Sequence, residues 1–415
     1  MGTESLTTRC VVVGGGPCGM MLGLLLARAG VDIIVLEKHA DFLRDFRGDT
    51  IHPSTLEIMA ELGLLDEFLQ LPHQKASTIG AHFGTQEFAV ANFTHLHTRC
   101  KFIALMPQWD FLNFLAERGR RYPAFHLRMQ AEATGLIEEA GTIVGVRAAT
   151  PAGDLEIRAD LVVGSDGRHS TVRACAGLAV DDFGAPMDVL WFRLPKNAND
   201  PLETMGRFEA GRIFILLDRR DYWQCAYVIP KGTIEATHRA GLPAFRANVV
   251  RTVPAFADRV DQLSDWDQIK LLTVAVNRLK RWHRPGLLCI GDAAHAMSPI
   301  GGVGVNLAVQ DAVAAANILA QPLRAGRVID ADLQRVQQRR EFPTRVTQRI
   351  QVFLQNRVIN PLLGEDRPLR APLALRLLSR FPLLRRIPAR LVGIGVRPEH
   401  VRTPDVGVNR GSPPA

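Results

Sequence analysis

The chain has 415 residues, 47% of them hydrophobic and 22% charged, which gives a globular protein of two domains and excludes a disordered or fibrous one. A formal charge of +8 and a pI near 9.5 favour anionic ligands or anionic surfaces. The basic residues do not cluster with aromatics in a nucleic-acid motif, so no nucleic-acid partner is expected.

Arg9 to Val13 reads as a buried parallel strand, followed by a glycine loop and a helix from about Cys18 to Ala29. Gly30 ends that helix, and Val31 to Leu36 forms a second strand closing on Glu37, which completes a βαβ unit. Pro53 to Leu71 reads as a helix, Gly80 to Phe93 as a strand pair and Trp109 to Arg121 as a helix. Thr150 to Asp154 is a hairpin signal, and Asp160 to Val163 is a strand entering a second glycine motif. From Met187 to about Val274 short strands dominate, including Val189 to Leu194, Ile213 to Leu217 and Trp223 to Ile229. Leu287 to Ile290 is again a buried strand, Val305 to Leu319 an apolar helix, and Asp332 to Asn356 a polar helix rich in Arg and Gln.

Three motifs follow one another in this frame. In Gly14-x-Gly16-x-x-Gly19 the first glycine permits a tight turn, the second lets backbone approach a pyrophosphate, and the third packs helix on sheet. The helix N-terminus at Pro17 and Cys18 offers N–H groups to phosphate. Glu37 can accept hydrogen bonds from both ribose hydroxyls, which favours FAD or NAD over NADP, and Lys38 is grouped with it. The second motif runs Gly164-Ser165-Asp166-Gly167-Arg168 and on to Arg173. The third is Gly291-Asp292, followed by Pro299 and the cluster Gly301, Gly302, Gly304. Asp292 can hold a ribityl or ribose hydroxyl, and the helix starting near Val305 can point its N-terminus at a flavin. Asn306 and Asp311 fall in the first turns of that helix, where capping and packing residues sit.

In this combination the chain resembles the single-component FAD-dependent aromatic hydroxylases typified by para-hydroxybenzoate hydroxylase, over about residues 9–360. Gly14, Gly16, Gly19 and Glu37 match the family's ADP-binding fingerprint. Asp166, Gly167 and Arg173 match a middle motif that serves both FAD and the nicotinamide cofactor, and Gly291 and Asp292 match the flavin-ribose motif. Arg47 and Gln108 fall where the family has flavin-contacting residues, and Pro299 falls in the loop lining the isoalloxazine. Cys18 stands where the family has a small residue and reads as a packing thiol.

The resemblance implies an α/β fold: a Rossmann-like FAD-binding domain of the GR2 type, an inserted β-sheet domain for substrate, and a C-terminal helical segment. The boundaries expected are 1–74, 101–180 and 275–360 for FAD, 75–100 and 181–274 for substrate, and 361–415 for the extension. It also implies the activity: NADH or NADPH binds transiently and reduces FAD. The reduced flavin and O2 form a C4a-hydroperoxide that hydroxylates an aromatic or polyketide-like molecule. A reductase of a double bond, as in the geranylgeranyl reductases, and a flavin-binding protein without turnover are the rivals.

A phenolic substrate needs a base or proton relay, for which His52, His82, His295, Tyr222 and Tyr227 are candidates, with Arg47 and Pro299 beside the flavin. No metal is required, and six scattered cysteines form no CxxC pair. Neither a signal sequence nor a membrane span is evident, so a cytoplasmic monomer or homodimer is expected. The tail, where Arg376, Arg380, Arg385, Arg386 and Arg390 interleave with Leu and Phe, could lie on an anionic membrane. Packing of its apolar face on the parent domain is the commoner outcome for such a segment.

Overall fold

The structure is a computed structural model and describes residues 4–43, 50–84, 86–198, 200, 205–209, 211–219, 221–364 and 371–406. Its larger sheet has parallel strands at its centre. Glu4–Val13 pairs with Ile33–Glu37 on one side and Gly153–Gly164 on the other, and Phe125–Met129 and Leu287–Cys289 extend it outward. Both faces are covered, so the central strands carry unbroken apolar runs, and Cys10 to Val12 are fully buried. The helices Pro17–Arg28 and Gly304–Arg324 pack against each other on this sheet. The second of these is apolar enough to cross a membrane, but it is a core helix, buried over most of its length.

The segment expected to be one helix from Pro53 to Leu71 is two. Pro53–Glu61 stops where Gly63 takes φ +71°, and Leu65–Phe68 adds a single turn. The hairpin around Thr150 forms between Thr142–Thr150 and Gly153–Gly164, and the strand expected at Asp160 to Val163 is the end of that second strand.

A second sheet of seven strands runs in the order Lys270–Leu272, Met187–Pro195, Tyr222–Pro230, Arg212–Asp218, Met205–Glu209, Thr78–Phe83 and Gln86–Asn92. One face buries Phe192, Phe214, Trp223 and Tyr227 against Phe245 and Val249 of the helix Leu242–Thr252. The opposite face presents Val189, Trp191, Ala226 and Val228, and Ile300, Ile359 and Leu362 pack on it. Alternation with period two along each strand separates the two sets.

The outer helix Asp330–Leu354 covers the core helix, and two short helices, Leu373–Arg380 and Arg386–Gly393, lie against the edge strand Gln86–Asn92. Pro382 and Pro388 keep these from merging. The chain then returns across the larger domain as an extended strap. Arg28 donates to the Thr403 carbonyl at 2.6 Å, Val406 N–H donates to the Arg28 carbonyl at 3.0 Å, and Glu61 holds His400 at 2.5 Å and Val401 N–H at 2.7 Å.

Candidate cofactor and substrate site

The first glycine loop is fixed by its neighbours on the sheet. Gly14 has φ +109°, and a Cβ there would lie 2.5 Å from the Ser165 carbonyl oxygen. A Cβ on Gly19 would lie 2.0 Å from the Gly14 carbonyl oxygen, so only glycine lets the helix start this close to the strand. Ser165, whose role the sequence does not announce, ties the loop down by donating to the carbonyls of Val13 at 3.0 Å and Gly14 at 2.9 Å. Gly16 differs. It is the N-cap of Pro17–Arg28, no side chain caps the helix, and a Cβ there meets nothing within 4 Å.

Glu37 ends its strand beside this open helix end. It accepts from Gly15 N–H at 3.2 Å and from His39 N–H at 3.0 Å, which holds its carboxylate against the loop. Lys38 points elsewhere, with its amine 3.9 Å from Glu132. Cys18 is buried against Gly291, and burial, then Asp311 and Asp292, push its thiol well above the ordinary range. An inert packing thiol fits that environment.

The middle motif works as a clasp. Asp166 accepts from the Ser170 hydroxyl at 2.5 Å and from Val172 N–H at 3.1 Å, and Ser170 caps the helix Thr171–Cys175 through Arg173 N–H. Arg173 donates to the carbonyls of Ala293 at 3.2 Å and Arg168 at 2.6 Å, so it ties the second motif to the third. Gly167 takes φ +86° with open space where a Cβ would stand. Asp292 lies 3.5 Å from Arg168 and is partly exposed.

A second uncapped helix end lies on the far side of Gly291. Pro299 opens a short turn in which Gly301 and Gly302 take φ +78° and +62°. Gly304 then starts the core helix, its N-cap Val303 carries no side-chain cap, and the nearest atom to a Cβ on Gly304 is 3.9 Å away. Val305 beside it is half-buried. Asn306 holds this loop to the Thr50 strand. Its oxygen accepts from His52 N–H at 2.8 Å and the Thr55 hydroxyl at 2.7 Å, and its nitrogen donates to the carbonyls of Thr50 at 3.1 Å and Gly302 at 3.4 Å. That satisfies the amide completely, which leaves the side chain no group for a ligand.

The histidine candidates are enclosed. His52 is fully buried, its Nδ1 donates to the Val392 carbonyl at 2.7 Å, and its Nε2 has no partner. Burial pushes its pKa down to about 4. His295 is equally buried, 2.6 Å from Asp311 and packed on the Trp282 ring. Asp311 also faces Arg340 at 2.8 Å. Burial alone would raise the Asp311 carboxyl, but His295 and Arg340 outweigh it and hold it below the usual range. Tyr227 is on the sheet face turned away from the larger domain, among Phe214 and Phe245, and burial raises its pKa. His82 and Tyr222 are half-buried, and Gln108 opens the helix Gln108–Gly119. Arg47 lies outside the described residues.

The two halves meet at Ile300, which carries the Pro299 loop onto the Val189, Trp191 and Val228 face of the second sheet. Arg193, two residues on from Trp191, stacks over Trp109 beside Gln108 at 6.0 Å. The uncapped helix end at Gly304 thus follows the loop that packs on the apolar sheet face, and Arg173 ties the clasped loop to Ala293 a few residues before it.

Residues 7–350 match the family model of an FAD binding domain. Over 92% of both chains the protein is 34% identical to 6-methylpretetramide 4-monooxygenase of Streptomyces rimosus. It is 24% identical to para-nitrophenol 4-monooxygenase of a Pseudomonas species, over 76% of this chain and 78% of that one. The fold superposes on p-nitrophenol 4-monooxygenase from Pseudomonas putida with a TM-score of 0.73, at 21% identity and 94% of both chains. It superposes on anhydrotetracycline hydroxylase from Streptomyces rimosus with a TM-score of 0.72, at 22% identity, over 94% of this chain and 76% of that one. The chain belongs to the FAD-dependent monooxygenases, a family of flavoprotein oxidoreductases with the para-hydroxybenzoate hydroxylase fold.

Proposed function

We propose that this enzyme uses NADH or NADPH and O2 to hydroxylate an aromatic or polyketide-like small molecule. The observation that carries the reading is the pair of uncapped helix ends, at Gly16 and at Gly304, on either side of Gly291. They suit two parts of one FAD: the pyrophosphate at Gly16, and the flavin's N1–C2=O edge at Gly304 and Val305. Both cradles are open where a Cβ would stand, which is the fit a bound cofactor requires.

Glu37 would take the adenosine ribose, Asp292 the ribityl chain, and Gln108 and Pro299 the rim of the ring. Asp166 and Arg173 act differently: their side chains brace the loops that carry Gly167 and Asp292. Bound FAD supplies the redox chemistry, accepting hydride and activating O2 for transfer of one oxygen atom to carbon. The protein orients the substrate beside the Pro299 loop, where Ile300 meets the sheet face of Val189 and Trp191, and these apolar walls exclude water. The segments 75–100 and 181–274 form the substrate domain of this reading. The three-part division with 361–415 as an extension belongs to it too.

Support for the substrate class comes from the relative that is 34% identical, whose name describes a monooxygenase of a pretetramide. The test uses purified protein with its visible spectrum, NADH or NADPH, and a panel of phenols and fused-ring polyketides under air. Substrate-stimulated O2 uptake with a hydroxylated product and little free peroxide is the expected result. NAD(P)H oxidation that reduces a substrate double bond without consuming O2 would overturn it.

A further inference from the structure

Residues 371–398 contain six arginines and no acidic residue. Their inward side is packed: Ala371 and Leu375 lie on the apolar cluster of the second sheet, Ala389 is fully buried, and Gly393 sits against Phe93 and Leu96. Their outward side is not. Leu373, Leu377 and Phe381 recur at i, i+4 and i+8 and are exposed, Leu373 at 69%. Leu383, Ile387 and Leu391 repeat the row through the following turn and the next helix, with Leu383 68% and Ile387 58% exposed. Arg376, Arg380, Arg386 and Arg390 each precede a member of these rows, so guanidinium groups border the apolar stripe along its length.

The tip is held in shape. Arg385 donates to the carbonyls of Leu378 at 2.9 Å and Ser379 at 3.0 Å, which fixes the second helix against the end of the first. Arg376, Ser379 and Arg380 also line a crevice of about 450 Å³ with Gln86 and Phe88, large enough for a phosphate headgroup.

We propose that this face docks on an anionic lipid bilayer, with the two apolar rows in the interface and the arginines among the lipid phosphates. A basic amphipathic surface with leucine and phenylalanine on its outer face is built for that position. Charge decides against a second copy of the chain: an isologous contact would set arginines against the same arginines, with no carboxylate in the patch to pair with them. The last turn of the docked helix also carries Val392, whose carbonyl accepts from His52, so the face is one hydrogen bond from the loop that Asn306 anchors. A lipophilic substrate would then enter from the bilayer.

The test is co-sedimentation of the full-length protein with vesicles of phosphatidylcholine alone and with one-third phosphatidylglycerol. Binding to the anionic vesicles should be at least about tenfold tighter and should weaken as salt is added. Arg376→Glu with Arg386→Glu should reduce it by about twenty-five-fold or more, at roughly fivefold per arginine. Leu383→Ser with Ile387→Ser should also release the protein. All four positions are exposed, so melting temperature and flavin content should match the wild type, and they report on folding separately. Equal binding to both vesicles, no binding to either, or binding untouched by the variants would overturn the proposal. So would a dimer in light scattering that Leu383→Asp dissociates, or capture of an acidic protein in place of vesicles.

Discussion

Arg340 crosses from the outer helix to Asp311 in the core helix at 2.8 Å, and both side chains are fully buried. Asp311 also accepts from Gly291 N–H at 3.1 Å, and Glu399 of the C-terminal strap lies 3.4 Å from Arg340. One buried ion network therefore fastens the third glycine motif, the outer helix and the strap together.

Breaking that network should be costly. In Arg340→Met the carboxylates of Asp311 and Glu399 lose a buried partner, and a broken buried pair costs about 3–5 kcal/mol. Urea unfolding should show that loss, with the strap becoming sensitive to proteolysis ahead of the sheet. A change under 1 kcal/mol would mean that His295 and Arg339, which also hold Asp311 and Glu399, are sufficient alone.

The glycine loop separates folding from cofactor binding. Gly16→Ala adds a methyl group where nothing lies within 4 Å, so the apoprotein should keep its stability to within about 0.5 kcal/mol. The same methyl would stand where the pyrophosphate is proposed to pass, and FAD affinity should fall at least tenfold in fluorescence titration. Gly14→Ala meets the Ser165 backbone and an unfavourable φ, so it should impair folding as well as FAD binding. Equal FAD affinity in Gly16→Ala and wild type would remove the phosphate from this helix end.

The contrast between these two devices also shows what was legible before the structure. The Gly14 loop could be read because strand, turn and helix are adjacent in sequence and each glycine answers a local steric demand. The helix near Val305 was legible for the same reason. The network of His295, Asp311, Arg340 and Glu399 was not, because its members are joined only when two helices and a strap pack together. Nor could the sequence tell that Asn306 would have all its hydrogen-bonding groups engaged, or that Tyr227 would face away from the larger domain. Period two places Tyr227 opposite Ala226, but which of the two faces meets the flavin domain is settled by the packing of Ile300 and Ile359.

His52 gives the folded state a specific acid sensitivity. Its folded pKa of about 4 lies below the ordinary 6.5, because the buried ring has no acceptor for a second proton. The unfolded chain therefore binds more protons between those values. The contribution is complete above pH 6.5 and is lost as pH falls toward 4. A depression of that size amounts to about 3 kcal/mol. Unfolding midpoints between pH 4.5 and 7.5 should fall with pH in the wild type. In His52→Gln, which can still donate to Val392, they should fall less steeply. Parallel curves for the two proteins would assign the acid sensitivity to other groups.

Trp191 lies on the sheet face that meets the Pro299 loop, and its Nε1 is buried with no partner. Gln224, on the same face one pair further along, accepts from Arg219 through its oxygen at 2.9 Å and leaves its Nε2 without an acceptor. Two idle donors on an apolar wall suit a substrate carrying carbonyl or phenolic oxygens. Trp191→Phe removes one donor and keeps most of the ring. Because no protein group loses a bond, the melting temperature should stay within a few degrees of the wild type. The missing substrate bond should cost about 1–1.5 kcal/mol, which appears as a roughly five- to tenfold rise in KM for an oxygen-rich substrate. Reduction of the flavin by NAD(P)H without substrate should be unaffected. An unchanged KM with lowered stability would make Trp191 a packing residue and move the polar recognition elsewhere on the sheet.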